Sequence, residues 1–189
     1  MQENLEEGNF MKKAFTMLEL VFVIVVIGII AATVLPRTSS NAVAEASTQL
    51  ISHIRYAQHL GMVDDKFNST TGSNWYRNVW QISFSGNTYS IVGDGGTFAK
   101  NPQNQKPMQN IDLADDYSVS IALGGGCTGE TELSFDYLGR PLVGDLNTST
   151  SPVSELLPYN TPCTITVTNG TDTGVITIRP ETGYASLAL

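Results

Sequence analysis

Residues 15–35 form an apolar run interrupted by one glutamate, Glu19, and this run constrains the fold more than any other feature of the chain. About 21 residues at about 1.5 Å each give a helix of roughly 31 Å, which matches a hydrocarbon core of about 30 Å. The run therefore predicts a membrane-spanning helix. It is richer in Val, Ile, Leu and Phe than the core of about 7–15 residues that a cleaved secretory signal needs, and no small-residue cleavage site follows it before Pro36. Lys12 and Lys13 border the run on its N-terminal side, against Arg37 alone on the other. That asymmetry places the N-terminus in the cytoplasm and everything after residue 35 outside. An ionised carboxylate costs about 2.5–3.5 kcal/mol at the centre of a bilayer and less near a helix end. Glu19 lies about one turn in and has two readings: it snorkels to the headgroups, helped by the positive end of the helix dipole, or it finds a cation within the membrane.

The residues around Glu19 bear on that choice. A basic pair (Lys12, Lys13), Ala14, then Phe15, Thr16 and a glutamate at the fifth place counted from Phe15, followed by an apolar run, resembles the class III signal and N-methylation motif of the type IV prepilin and pseudopilin superfamily. The resemblance covers residues 12–36. It implies cleavage by a prepilin peptidase between Ala14 and Phe15, N-methylation of Phe15, and use of Glu19 in assembly, where its carboxylate pairs with the freed amine of a neighbouring subunit. Gly28 and Pro36 fall where the family weakens or bends this helix; proline removes a helix hydrogen bond and kinks the chain. Both residue types are also tolerated in ordinary transmembrane helices. Two features depart from the family pattern. Ala14 stands where the family usually has glycine, and residues 1–10 carry Glu3, Glu6 and Glu7 where a short basic leader is expected. Met11 as the true start would restore that leader as MKKA.

After Pro36 the pattern changes period. Val43, Ala46, Leu50, Ile54, Ala57 and Leu60 recur every three or four residues, with Glu45, Gln49, Arg55 and Gln58 between them, which predicts an amphipathic helix whose apolar stripe packs on a sheet. Gly61 and the polar residues 64–74 end it. Later segments read as strands: 78–84 and 88–92 as a hairpin around Ser85-Gly86-Asn87, then 117–123 and 132–137, and finally 164–168 with 174–179 around the loop NGTDT. The polar stretches 93–112 and 139–162 read as surface loops. FDYLGRP at 135–141 and ITIRPETGYASL at 176–187 resemble the closing strands of H-type minor pseudopilins and related minor pilins.

The chain contains two cysteines, Cys127 and Cys163. In an exported chain such a pair reads as one disulfide, which would tether the 139–162 loop and stabilise the fold by roughly 4 kcal/mol in the chain-entropy model; two separate buried thiols are the other reading. No cysteine or histidine spacing suggests zinc.

Catalytic chemistry finds little support. The only histidines, His53 and His59, are six residues apart on the predicted helix and share no face. The acid pairs Asp64-Asp65 and Asp115-Asp116 read as solvated loops. The glycine clusters 93–96 and 124–126 lack the strand–loop–helix setting and the Lys-Ser/Thr of a phosphate loop. Neither Asp94 nor Asp145 sits in the regular oxygen ladder of a calcium loop. DLNTS at 145–149 has the form of an extended glycosylation sequon at Asn147. A net charge of −8 and a pI near 4.6 argue against a nucleic-acid partner, which requires a basic face.

These readings and the resemblance together give an α+β fold of type IV pilin-like plan. A long N-terminal helix, half transmembrane and half amphipathic, would pack on a C-terminal antiparallel β-sheet head. The domain expectation is a leader at 1–14, a transmembrane and assembly helix at 15–36, its amphipathic outer half at 37–62 and an extracytoplasmic head at 63–189. The function implied is a non-enzymatic minor pseudopilin of type II secretion, without cofactor or metal. It would sit in a bacterial inner membrane with its head in the periplasm before joining a pseudopilus. Its partners would be the prepilin peptidase, other pseudopilins or pilins and the inner-membrane assembly platform. A minor pilin serving adhesion or DNA uptake and a signal-anchored extracytoplasmic enzyme are the alternatives.

Overall fold

The computed structural model describes residues 16–34, 42–64, 66, 72–149 and 151–189. The chain divides into two compact units, Met1–Thr38 and Ser39–Leu189. In the first, α1 (Met17–Val34) is an 18-residue helix. Its described side chains are exposed apart from the half-buried Val26.

The second unit is built on α2 (Ala42–Val63), a 22-residue helix that buries Val43, Ala46, Ser47, Leu50, Ile51, Ile54, Ala57 and Gly61. A short 3₁₀ segment, Gly72–Asn78, follows it. Next come β1 (Gln81–Ser85), β2 (Thr88–Val92), β3 (Ile111–Asp112), α3 (Leu113–Tyr117), β4 (Ser120–Gly125), β5 (Glu132–Phe135) and β6 (Pro141–Val143), then β7 (Cys163–Thr168), β8 (Thr173–Ile178) and β9 (Ala185–Ala188). The strands form two sheets, ordered β3-β2-β1-β5-β6 and β4-β7-β8-β9, and every pairing is antiparallel. α2 touches β1 and β5 of the first sheet and β7, β8 and β9 of the second. Its buried stripe is wide because two surfaces cover it. Two small residues set the approach. A Cβ on Gly61 would lie 2.7 Å from the Phe135 carbonyl oxygen, and one on Gly174 of β8 would collide with Ser47 Oγ. Leu50, Ile54, Ile82, Ile91, Leu133, Phe135, Ile165, Ile176 and Ile178 form the heart of the core.

One long N-terminal helix on one sheet, as a pilin-like plan requires, is corrected here. The helical residues fall into α1 and α2, which belong to different units, and the strands form two sheets. Among the described residues no helix is long and apolar enough to cross a membrane. α2 is held by burial on the sheets, so it belongs with the β-rich unit.

The strand expectations are corrected in places. The strand read at 117–123 begins only at Ser120 and runs to Gly125; Leu113–Tyr117 is helical because the Asp112 carboxylate accepts from the N–H groups of Ala114 and Asp115, which caps α3, and Ser118 ends it in a left-handed conformation with φ 56°. The strand read at 132–137 stops at Phe135, where Asp136 begins a turn. The stretches 93–112 and 139–162, read as surface loops, contribute β3, β6 and the buried Ala99, Met108, Leu142, Leu146 and Leu157.

Candidate functional site

Glu19 lies in the first turn of α1 and is exposed. Its backbone N–H donates to Thr16 Oγ1 at 3.3 Å and to the Thr16 carbonyl oxygen at 3.1 Å. Thr16 is therefore the N-cap, and Thr16-Met17-Leu18-Glu19 has the form of a capping box, with Glu19 at its third helical position. The contact shown uses the Glu19 backbone N–H, so it accounts for the threonine at 16 and leaves the carboxylate of Glu19 exposed. Its neighbours on the α1 surface are Leu18, Val21, Phe22 and Val25. Gly28 lies within α1, and beyond its chain neighbours and the local helix backbone nothing among the described residues comes within 4 Å of where its Cβ would stand. Ala14, Phe15 and Pro36, the other assembly and processing positions, lie outside the described residues.

In the β-rich unit the two stretches singled out in the sequence meet. The 136–140 turn follows β5 and the 180–184 turn precedes β9. Gln58 Nε2 on α2 donates to the Gly139 carbonyl oxygen at 2.9 Å and to that of Thr182 at 3.1 Å. Arg55 of α2 donates to the Ala185 carbonyl oxygen at 2.8 Å. α2 thus ties one turn from each sheet. Close approach makes glycine necessary at this junction: Gly139 and Gly183 have φ of 80° and 62°, and a Cβ on Gly183 would strike the Gly139 carbonyl oxygen.

The first turn is organised by Asp136, which is 1% exposed. Its carboxylate accepts from Leu138 N–H at 3.0 Å, Arg140 N–H at 2.8 Å and Arg140 Nε at 2.7 Å. Beside the turn is a small cleft of about 150 Å³ lined by Trp75, Asp136, Tyr137, Arg140, Leu142, Pro152, Val153 and Leu156. Trp75 meets Tyr137 edge to face, with ring centroids 6.1 Å apart. Sequence reasoning missed this cleft because its walls come from three separate stretches, at Trp75, 136–142 and 152–156, the last within a presumed loop.

Cys127 and Cys163 form a disulfide, the pairing expected of an exported chain. Both are fully buried. Asn147 is exposed, whereas the Ser149 hydroxyl of its sequon donates to Glu155 Oε1 at 2.9 Å and is buried. Around Gly144, a Cβ would lie 3.0 Å from Glu130 Oε2 and 3.2 Å from Glu155 Oε2. Burial, reinforced by the nearby Asp145 charge, raises the Glu132 carboxyl above its ordinary range. Among the described residues no group of three His, Cys, Asp or Glu side chains is placed to hold a metal ion.

The two histidines are placed apart. His59 is exposed, while His53 is half-buried with Nδ1 2.6 Å from the hydroxyl of Tyr89. Burial raises the Tyr89 hydroxyl above its ordinary value and lowers His53 from 6.5 to about 4, so the phenol donates and the neutral imidazole accepts. Tyr117 extends the polar seam by donating to Gln49 Oε1 at 2.7 Å. Because the folded state holds His53 neutral, the unfolded chain binds the extra proton between pH 6.5 and about 4. The stability this group contributes is complete above pH 6.5 and is lost as pH falls through that window. Partial exposure reduces the effect to about 1–2 kcal/mol. Urea titrations at pH 7.0 and 5.0 should show a smaller loss for His53→Gln than for the native chain; equal losses would remove His53 as a source.

Compared with family profiles, with curated proteins and with solved structures, the chain matches none.

Proposed function

We propose that the chain is a non-enzymatic structural subunit of the prepilin-like class, closest in kind to a minor pseudopilin of a type II secretion system. A prepilin peptidase would cut between Ala14 and Phe15, Phe15 would be N-methylated, and the N-terminal apolar segment would hold the chain in a bacterial inner membrane. From there the subunit joins a pseudopilus through the assembly platform and its fellow subunits. The observation that carries the reading is the apolar run of residues 15–35 with Glu19 at its fifth place, behind Lys12, Lys13 and Ala14. The exposed, all-round apolar surface of α1 is consistent with it, since such a helix needs lipid or partner helices around it. The disulfide between Cys127 and Cys163 agrees with an oxidising compartment.

Mass and N-terminal sequence of the protein from its own membrane, with and without an active prepilin peptidase, test the reading. A chain beginning at methylated Phe15 only when the peptidase is active supports it. An uncut chain, or one cut beyond residue 35, sinks it. Glu19→Ala should then leave processing intact and reduce incorporation into fibres at least about tenfold, the loss expected when a charge-assisted contact worth about 1.5–3 kcal/mol is removed. Incorporation unchanged in that variant would leave Glu19 as the partner of Thr16 alone.

A further inference from the structure

Four side chains from three elements are strung together in the β-rich unit. Gln49 and His53 lie one turn apart on α2, Tyr89 is on β2 and Tyr117 ends α3. Tyr117 donates its hydroxyl to Gln49 Oε1 at 2.7 Å, which leaves the Gln49 NH₂ for its other partner, the Tyr89 hydroxyl. Tyr89 is buried, and its hydroxyl stands 2.6 Å from His53 Nδ1. Each member has a fixed inventory of donors and acceptors. The neutral imidazole accepts at Nδ1, so the Tyr89 proton points to His53. That leaves the Tyr89 oxygen to accept from Gln49, and Gln49 Oε1 to accept from Tyr117. The string runs one way, from Tyr117 to His53, because its last member is an acceptor.

A charged imidazole reverses that direction, since both of its nitrogens donate. Nδ1–H then bonds the Tyr89 oxygen, and the buried Tyr89 proton needs a new acceptor. Gln49 already faces it and supplies Oε1 when its amide turns over. The Gln49 NH₂ then meets the Tyr117 oxygen, and the Tyr117 proton is freed. We propose that His53, Tyr89, Gln49 and Tyr117 form a proton-sensing relay that carries the charge state of His53 to the surface groove beside α3. That groove is lined by Ala44, Glu45, Thr48 and Tyr117. At neutral pH the Tyr117 proton is spent on Gln49; in acid the groove gains an O–H donor. The charged groups facing the relay are Glu45 on α2 and Asp116 on α3, both beside Tyr117, and Asp116 acts on Tyr89 as well. They are acceptors for the freed proton. The two-state element is the Gln49 amide, biased by a charge one helical turn away. Burial sets the working range, holding His53 neutral down to about 4. The relay lies within the β-rich unit and stands or falls separately from processing at Phe15.

The test is an NMR titration of the full-length ¹⁵N- and ¹³C-labelled chain in detergent micelles, from neutral pH into the acid range. The expected result is a shift of the His53 ring, the Gln49 side-chain amide and the Tyr117 ring with one common midpoint near the His53 value of about 4. His53→Gln, which keeps a neutral acceptor, should remove the step at Gln49 and Tyr117. Tyr89→Phe cuts the string in the middle, so His53 should then titrate alone while Gln49 and Tyr117 stay in place. A step at Tyr117 that survives in either variant would assign it to Glu45 or Asp116 and overturn the proposal. Backbone amides of β7 and β8 that move with the same midpoint would mark acid unfolding of the unit and overturn it as well.

Discussion

Replacing Cys127 and Cys163 together by alanine is expected to lower the stability of the β-rich unit by about 4 kcal/mol. The bridge spans a separation of 36 residues, for which loop-closure entropy alone gives about that figure. Topology makes the loss concrete. After β4 the chain leaves the second sheet, builds β5 and β6 of the first, and returns as β7, which pairs with β4 up to Gly125 and Cys163. The disulfide closes the neck of this excursion. Without it, the neck is held by the β4–β7 ladder and by hydrogen bonds such as Gly126 N–H to the Pro162 carbonyl oxygen at 3.0 Å. For a unit of this size, about 4 kcal/mol corresponds to a fall in melting temperature of roughly 8–16 °C. Thermal unfolding of the oxidised chain and the double-alanine variant measures it. A fall of only a degree or two would mean that the ladder alone fixes the neck.

Much of the β-rich unit is legible in the sequence wherever a local pattern decides the structure. The stripe Val43, Ala46, Leu50, Ile54 and Ala57 predicts the buried face of α2, because a helix in contact with a core must repeat every three or four residues. The turns at Gly86 and at NGTDT predict both hairpins, because a short connection fixes antiparallel neighbours. Ser47, Ile51 and Gly61 are buried without belonging to that stripe. Their burial follows from a second sheet against α2, and a one-dimensional pattern cannot report how many surfaces a helix meets. β6 and β9 are strands of three and four residues, too short for an alternating pattern to mark them although each pairs with the strand just before it, and the buried Met108, Leu142, Leu146 and Leu157 sit in polar stretches of sequence that hid them.

The N-terminal region divides differently. Glu19 stands out in the sequence through its cost in an apolar run, and that emphasis hid the simpler local role in which Thr16 caps the helix. The two roles involve different groups. Capping uses the Glu19 backbone N–H, whereas the proposed assembly role would use its carboxylate, so a Glu19→Gln variant keeps the cap while removing the charge. The cleft at Trp75 was hidden for a geometrical reason, since its residues are spread from position 75 to 156 and become neighbours only when the chain folds.

Asp136→Ala is expected to cost about 3–4 kcal/mol, and the order of its effects identifies what the turn contributes. The substitution strands the N–H groups of Leu138 and Arg140, each worth about 1–3 kcal/mol when buried and unpaired, and removes the carboxylate that holds Arg140 Nε. The guanidinium itself loses less than a buried partner would, because at 38% exposure water can solvate it. Asp136→Asn keeps an oxygen for the two N–H groups, which both bond Oδ1, but gives up the charge and the Oδ2 acceptor of Arg140 Nε; because Arg140 can turn to water, its cost should be about 1–2 kcal/mol. Urea midpoints of the two variants separate the contributions. If Asn costs as much as Ala, the ion pair with Arg140 dominates; if Ala costs under about 1 kcal/mol, the turn is held from outside by Gln58 at the Gly139 carbonyl. In the expected case, Asp136 acts first as a buried anchor for the turn, and the rigidity it gives to Arg140 follows from that anchoring. A fold-level need would then explain the acid in FDYLGRP, with the cleft built on the cation it fixes.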